Sequence, residues 1–90
     1  MIVAIPVNGK GKADKVCASF GRAPYFLLLN VEENTNDWII NDAAESPGGA
    51  GIRAAQIIVN HHADALLTPR CGENAAQVLK EANVLLFQTK

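Results

Sequence analysis

Two thiols and two glycine-led segments are the parts of this 90-residue chain whose residue types could do chemistry. Cys17 and Cys71 are far apart in sequence and form no CxxC pair, so in a reducing compartment they are expected to be free thiols. Thiolates are soft ligands suited to iron-sulfur or copper centres. Two of them cannot complete a four-cysteine cluster, so backbone groups, exchangeable ligands or a second subunit would have to supply the rest. The plainer role of a lone cysteine is that of a small buried hydrophobe. The stretch "SPGGAGIRAAQ" (46–56) sets Gly48, Gly49 and Gly51 in front of good helix formers. It fits G-x-G-x-x-A, but a dinucleotide site needs a strand feeding straight into the glycines and an acidic residue about twenty positions on. Here "AAESP" intervenes and the later segment offers only Glu73. A P-loop is excluded too, for want of Gly-Lys-Ser/Thr. What remains is an anion cradle: glycines let backbone N–H groups turn toward a ligand, and a helix start carries unpaired donors and partial positive charge. The competing structural role is a turn that only starts a helix, capped by Ser46 or a backbone group.

"TPRCGENAA" repeats the arrangement, with Arg70, Cys71 and Gly72 ahead of a second helix that carries Asn74. His61 and His62 resemble a metal pair, yet neighbours on a helix do not face the same way, so interaction with the helix dipole is the expected role. Arg22 and Arg70 are candidate partners for an anion or for nearby Glu residues. Catalysis is not expected. There is no Ser-His-Asp set, and Asp14, Asp37, Asp42 and Asp64 fall on different elements, where a metal-dependent nuclease needs them converging on Mg²⁺.

The elements that must position these residues follow from apolar patterning. Residues 2–7 ("IVAIPV") form a short buried strand, with Pro6 near its end where a missing N–H is tolerable. A long polar loop runs from Asn8 to Pro24, and loops of that length are often functional. Residues 25–31 and 37–42, joined by "EENTN", read as a hairpin in which Trp38 and Ile40 share one face and are expected in the core. Helical spacing of Ile52, Ala55, Ile58 and Val59 predicts a helix over 52–61. A strand at 63–68, a helix at 72–82 and a strand at 83–89 complete the order βββαβαβ. Alternation in the second half implies parallel strands with right-handed crossovers, hence one mixed α/β sheet with helices on at least one face. If the first strand runs parallel to that at 63–68, the loop after Val7 and both glycine segments share one sheet edge. Cys17, Gly49, Gly51, Cys71 and Gly72 could then surround one pocket.

About half the residues are apolar and the size suits one modest core, so residues 1–90 are expected as a single domain. Eight Lys or Arg stand against nine Asp or Glu, for a net charge of −1, and no basic run marks a nucleic-acid face or a polybasic membrane signal. The apolar start is too short for a signal peptide or a membrane span, so the cytoplasm is the expected location.

The blocks "SFGRAPYFLL" (19–28), "GGAGI" (48–52) and "RCGENAAQVLKEANV" (70–84), in that order and spacing, resemble the dinitrogenase iron-molybdenum cofactor biosynthesis family over nearly the whole chain. That family includes nitrogenase cofactor carriers and orange-protein-like members. The resemblance implies a ribonuclease-H-like fold without nuclease activity and a non-catalytic carrier or scaffold for an anionic iron-sulfur or molybdenum-containing cluster. The candidate cofactor-binding residues are then Cys17, Ser19, Phe20, Gly21, Arg22, Gly48, Gly49, Gly51, Cys71, Gly72 and Asn74, with cofactor-assembly proteins as the partners the resemblance implies; Cys17 and Cys71 are candidate metal ligands on their thiolate chemistry, in place of the family's usual nitrogen ligand. Two departures stand out. Ser19 occupies the position where family members commonly carry a histidine, and the helix that usually follows the last strand is missing. A partner, a homodimer mate or a sequence cut short of that helix would account for this. Two other readings are compatible with the residues: a metal-free protein-interaction module, and an anion-binding regulatory domain that uses the N–H cradle without the thiols.

Overall fold

A computed structural model describes residues 1–10 and 16–88. Three strands come first, β1 (Ile2–Val7), β2 (Tyr25–Asn30) and β3 (Thr35–Ile40). Helix α1 (Ala50–Asn60), strand β4 (Ala65–Thr68), helix α2 (Glu73–Glu81) and strand β5 (Leu85–Gln88) follow. Two single 3-10 turns, Phe20–Arg22 and Asp42–Glu45, lie in the connections. The five strands make one sheet in the order β3-β2-β1-β4-β5. β1 and β3 run antiparallel to β2, whereas β4 is parallel to β1 and β5 to β4.

The hairpin register is set by its turn. Asn30 pairs with Thr35, the Asn30 Oδ1 accepts from the Glu33 N–H at 3.1 Å, and Asn34 takes the left-handed conformation at φ 55°. β3 therefore starts two residues before the expected 37–42 segment, and Asn41 and Asp42 pass into the following turn. Both helices stop at a residue with positive φ, His62 (62°) after α1 and Asn83 (62°) after α2. The Ala63 and Val84 N–H groups reach back to the Ile58 and Leu79 carbonyls, closing the last turns.

After β3 the chain moves across the sheet in one direction only, to β4 and then to β5. Right-handed crossovers in a single direction place both helices on the same face. On that face Ala4, Phe26 and Leu66 pack with Ala54, Ala55, Ile58, Ala75 and Leu79, all but excluded from solvent. The small residues of α1 let it sit close to the sheet. Burying each of Phe26, Ile58, Leu66 and Leu79 contributes about 1.5–3 kcal/mol relative to exposure. Among the described residues helix coverage is thus one-sided, and this corrects the expectation for Trp38 and Ile40. They do share a face, but it is the uncovered one, where Ile40 is 63% exposed.

Candidate functional site

Gly49 begins α1 in the left-handed conformation (φ 68°, ψ 20°), and no side chain caps that helix start; Ser46 is not the cap. Gly72 begins α2 in ordinary extended backbone (φ −66°, ψ 158°), again without a side-chain cap. The first intrahelical bonds run from Arg53 N–H to Gly49 and from Ala76 N–H to Gly72. The three amides ahead of each bond therefore have no partner inside their helix, and each helix start presents partial positive charge.

Both starts open onto one groove of about 570 Å³, lined by Ser19, Gly21, Arg22, Gly49–Ile52 and Gly72–Ala75. A smaller recess of about 290 Å³, lined by Ala18, Ser19, Phe20, Gly21, Gly51, Arg70, Cys71 and Gly72, shares its wall. Ser19, Gly21, Gly51 and Gly72 belong to both. Of the five residues expected to share one pocket, Gly49, Gly51, Cys71 and Gly72 do so and Cys17 does not; Ser19, Phe20, Gly21, Arg22 and Asn74 also line this double cleft. Gly48 is exposed just outside it, and Cys17 lines neither part.

Two side chains hold the 20–22 turn against the loop that delivers α1. The Arg22 Nη1 donates to the Ala44 carbonyl at 2.9 Å and the Ser46 carbonyl at 2.7 Å. Arg22 therefore binds main-chain oxygens rather than a Glu, while its charge stays on the wall of the groove. Asn41, only 3% exposed, donates from Nδ2 to the Gly21 and Ala23 carbonyls at 3.2 and 2.8 Å and accepts from the Ala43 N–H at 3.1 Å. A buried side chain with its donors so fully used is a strut. Sequence reasoning missed it, although an Asn directly after an apolar strand is a recognised turn and cap signal. Gly21 completes the joint. A Cβ there would lie 2.8 Å from the Gly51 nitrogen and 3.0 Å from its Cα, so the turn meets the start of α1 only because Gly21 has no side chain.

The thiols are placed differently. Cys17 packs against the core beside the 20–22 turn, its N–H donating to the Pro6 carbonyl at 2.8 Å and its Sγ to the Ser19 carbonyl at 3.5 Å. Cys71 is half-buried in the smaller recess, and burial pushes its thiol pKa up, favouring the protonated form. Both are free, and among the described residues no group of three His, Cys, Asp or Glu side chains comes together to hold a metal ion. His61 and His62 lie at the far end of α1 from the groove. The donor set present is two sets of helix N–H groups, the Arg22 and Arg70 guanidinium groups, the Ser19 hydroxyl and one thiol. That set suits an anion held by hydrogen bonds better than a bare metal ion held by side chains, and Glu73 on the same wall opposes it.

No curated protein matches the sequence. Among solved structures, the apo form of the orange protein from Desulfovibrio gigas superposes with a TM-score of 0.92 at 31% identity, covering 97% of this chain and 73% of that one. The solution structure of a Thermotoga protein assigned as NifB, of the DUF35 family, superposes with a TM-score of 0.84 at 30% identity over 99% of this chain and 76% of that one. The model of the family described as "Dinitrogenase iron-molybdenum cofactor" matches residues 1–90, and the chain belongs to that family.

Proposed function

We propose that this protein is a non-catalytic, cytoplasmic carrier or scaffold for an anionic metal-sulfur cluster, of the iron-sulfur or molybdenum-containing kind, handed between cofactor-assembly proteins. In this reading the sheet is of the ribonuclease-H-like type, and the cluster is cargo rather than a resident cofactor. The observation that carries the reading is the pair of uncapped helix starts facing one groove beside Arg22. The cluster's sulfide or oxide edges accept from the free amides of residues 50–52 and 73–75, and the guanidinium balances the remaining charge. Cys71 supplies one soft ligand at the recess, losing its proton on binding. Cys17 reaches the cargo only if the turn at 17–19 moves. Ser19 offers a hydroxyl in place of an imidazole, a weaker ligand that favours release over retention. No described helix is long and apolar enough to cross a membrane, in keeping with a carrier that diffuses between partners.

The test uses a variant that leaves the fold alone. At Gly72 the backbone is ordinary for any residue and a Cβ meets nothing within 4 Å, so Gly72→Asp fits. Its carboxylate caps the α2 amides, which stabilises the helix by a few tenths of a kcal/mol and sets negative charge where the cargo sits. Purified protein is reconstituted anaerobically with iron and sulfide, or with tetrathiomolybdate, then desalted and assayed for metal and visible absorption. The expected result is stoichiometric metal on the parent and almost none on a fully folded Gly72→Asp. Equal retention by both removes the cradle from the mechanism. A Cys17→Ala, Cys71→Ala double variant that folds but loses metal shows thiolate ligation. A parent that retains phosphate but neither metal preparation favours the regulatory anion-binding reading.

A further inference from the structure

Asn41 and Arg22 brace each other's main chain in opposite directions. Asn41 donates from Nδ2 to the Gly21 and Ala23 carbonyls at 3.2 and 2.8 Å, the residues on either side of Arg22. Arg22 returns the contact, its Nη1 donating to the Ala44 and Ser46 carbonyls just past Asn41 at 2.9 and 2.7 Å. The clasp is anchored in the sheet, because the Asn41 N–H donates to the Pro24 carbonyl at 3.0 Å, one step beyond the Tyr25–Ile40 pair that ends the β2–β3 ladder. The Arg22 N–H closes its own turn on the Ser19 carbonyl at 3.2 Å. Arg22 is thus held at its main chain, at both neighbours and at one end of its guanidinium. A guanidinium has five N–H donors, of which Nη1 supplies two. Among the described residues nothing accepts from Nε or Nη2, and the side chain lines the cargo groove. Those two nitrogens share one edge and form a fork that can grip two acceptor atoms together. Asn41 itself is buried and lines neither part of the cleft.

We infer that Asn41 is a positioning residue for anion binding that acts through Arg22: it fixes the guanidinium so that the Nε and Nη2 edge is ready to take two acceptor atoms of the anion at once. This rests on the cargo reading of the groove. Preorganisation makes the difference. An unanchored arginine gives up rotamer freedom each time it grips an anion, whereas Arg22 gives it up when the chain folds. Arg70 supplies the comparison within the same cleft. It lines the smaller recess, but the atom engaged is its own carbonyl, which accepts from the Thr68 Oγ1 at 3.0 Å, and among the described residues no partner holds its guanidinium. The same charge without the anchor contributes less to affinity. Asn41 touches no cargo, so its removal changes affinity through the residue it holds. An Asn41 with a structural role alone would lower the melting temperature and leave the affinity of the still-folded protein as it was.

Titration of the full chain with tetrathiomolybdate, well below the melting temperature of each variant, tests the inference. Asn41→Ser keeps a hydroxyl to accept from the Ala43 N–H and removes both donors. It is expected to weaken binding roughly tenfold, the low end of what losing an outer-shell partner costs. Arg22→Gln is expected to weaken binding at least as much, and adding Asn41→Ser to it to change affinity by less than about twofold, because the residue acted through is gone. Two readings do not need the Asn41 variant. Arg70→Gln is expected to cost less affinity than Arg22→Gln. In ¹⁵N NMR of the unloaded parent, the Nη1 and Nη2 resonances of Arg22 are expected to be resolved by slowed rotation about the Nε–Cζ bond, while those of Arg70 average. An Asn41→Ser protein that binds like the parent, an undiminished loss in the Arg22→Gln background, equal losses at Arg22 and Arg70, or an averaged Arg22 pair overturns the inference. A parent that binds no tetrathiomolybdate while its Arg22 pair is resolved overturns the cargo reading, and with it the anion role of Asn41.

Discussion

Replacing Gly21 with alanine should loosen the groove without touching its chemistry. The added Cβ would sit 2.8 Å from the Gly51 nitrogen, 3.0 Å from the Gly51 Cα and 3.1 Å from the Ala50 carbonyl carbon, all main-chain atoms. Comfortable contacts between such atoms lie near 3.5 Å or beyond, so the 20–22 turn and the start of α1 must part by about half an ångström. Overpacking of this kind costs about 1–3 kcal/mol. In a domain of this size each kcal/mol lowers the melting temperature by about 4–8 °C, so a fall of roughly 5–20 °C is expected. Differential scanning calorimetry with Gly51→Ala as control makes the comparison. In that control the new Cβ meets only the Ala75 Cβ at 3.5 Å, an ordinary contact, and a helical alanine replaces a glycine. Its melting temperature should hold or rise. A Gly21→Ala protein melting within a degree of the parent would refute the argument that close main-chain approach shapes this wall.

Asn41→Asp turns a donor toward the Gly21 and Ala23 carbonyls into an acceptor, and urea unfolding should show a loss of about 2–3 kcal/mol; a neutral result removes Asn41 as the strut. Glu73→Gln takes a like charge from the groove wall, so tetrathiomolybdate should bind roughly two- to fivefold tighter while the helix loses a few tenths of a kcal/mol; weaker binding contradicts an anion site. The raised pKa of Cys71 means the reactive thiolate appears only at higher pH than in an unfolded chain. In a Cys17→Ala variant, iodoacetamide labelling of the native protein should still be accelerating at a pH where labelling in 8 M urea has levelled off, and identical profiles would show that burial does not govern this thiol.

Most of the elements were legible because their signals are local. Alternating and helical apolar periods located the five strands and two helices, with shifts of one or two residues at their ends. β3 is the clearest shift, since its start depends on a turn closed by Asn30 and Asn34 that polarity alone does not reveal. Trp38 and Ile40 were misplaced for a different reason: two apolar residues two apart declare a shared face, but which face receives helices is decided by the direction of the crossovers through α1, which begins ten residues after Ile40, and α2. At the cleft, glycines before helices located the two helix starts that no side chain caps. The Arg22 and Asn41 hydrogen bonds were hidden, because they join segments 18 to 24 residues apart and both end on carbonyl oxygens, which every residue has. The difference between Gly21, which tolerates no Cβ, and Gly48, which would tolerate one, is likewise tertiary.

The sheet order also sets how the two halves of the groove differ in endurance. The α1 side is braced to β1 and β2 through the 20–22 turn, at the middle of the sheet. On the α2 side, among the described residues, strand β5 pairs with β4 alone through four residues at the margin of the sheet. Local opening starts where a strand has one neighbour and exposed amides, so α2 and β5 are the unit that detaches first, well below the free energy of global unfolding. Amide hydrogens of residues 73–88 should exchange faster than those of 50–60. If the proposed cargo is gripped by both helix starts, it ties the loose unit to the firm one, and loading should register as slowed exchange in a segment that mostly never touches the cargo.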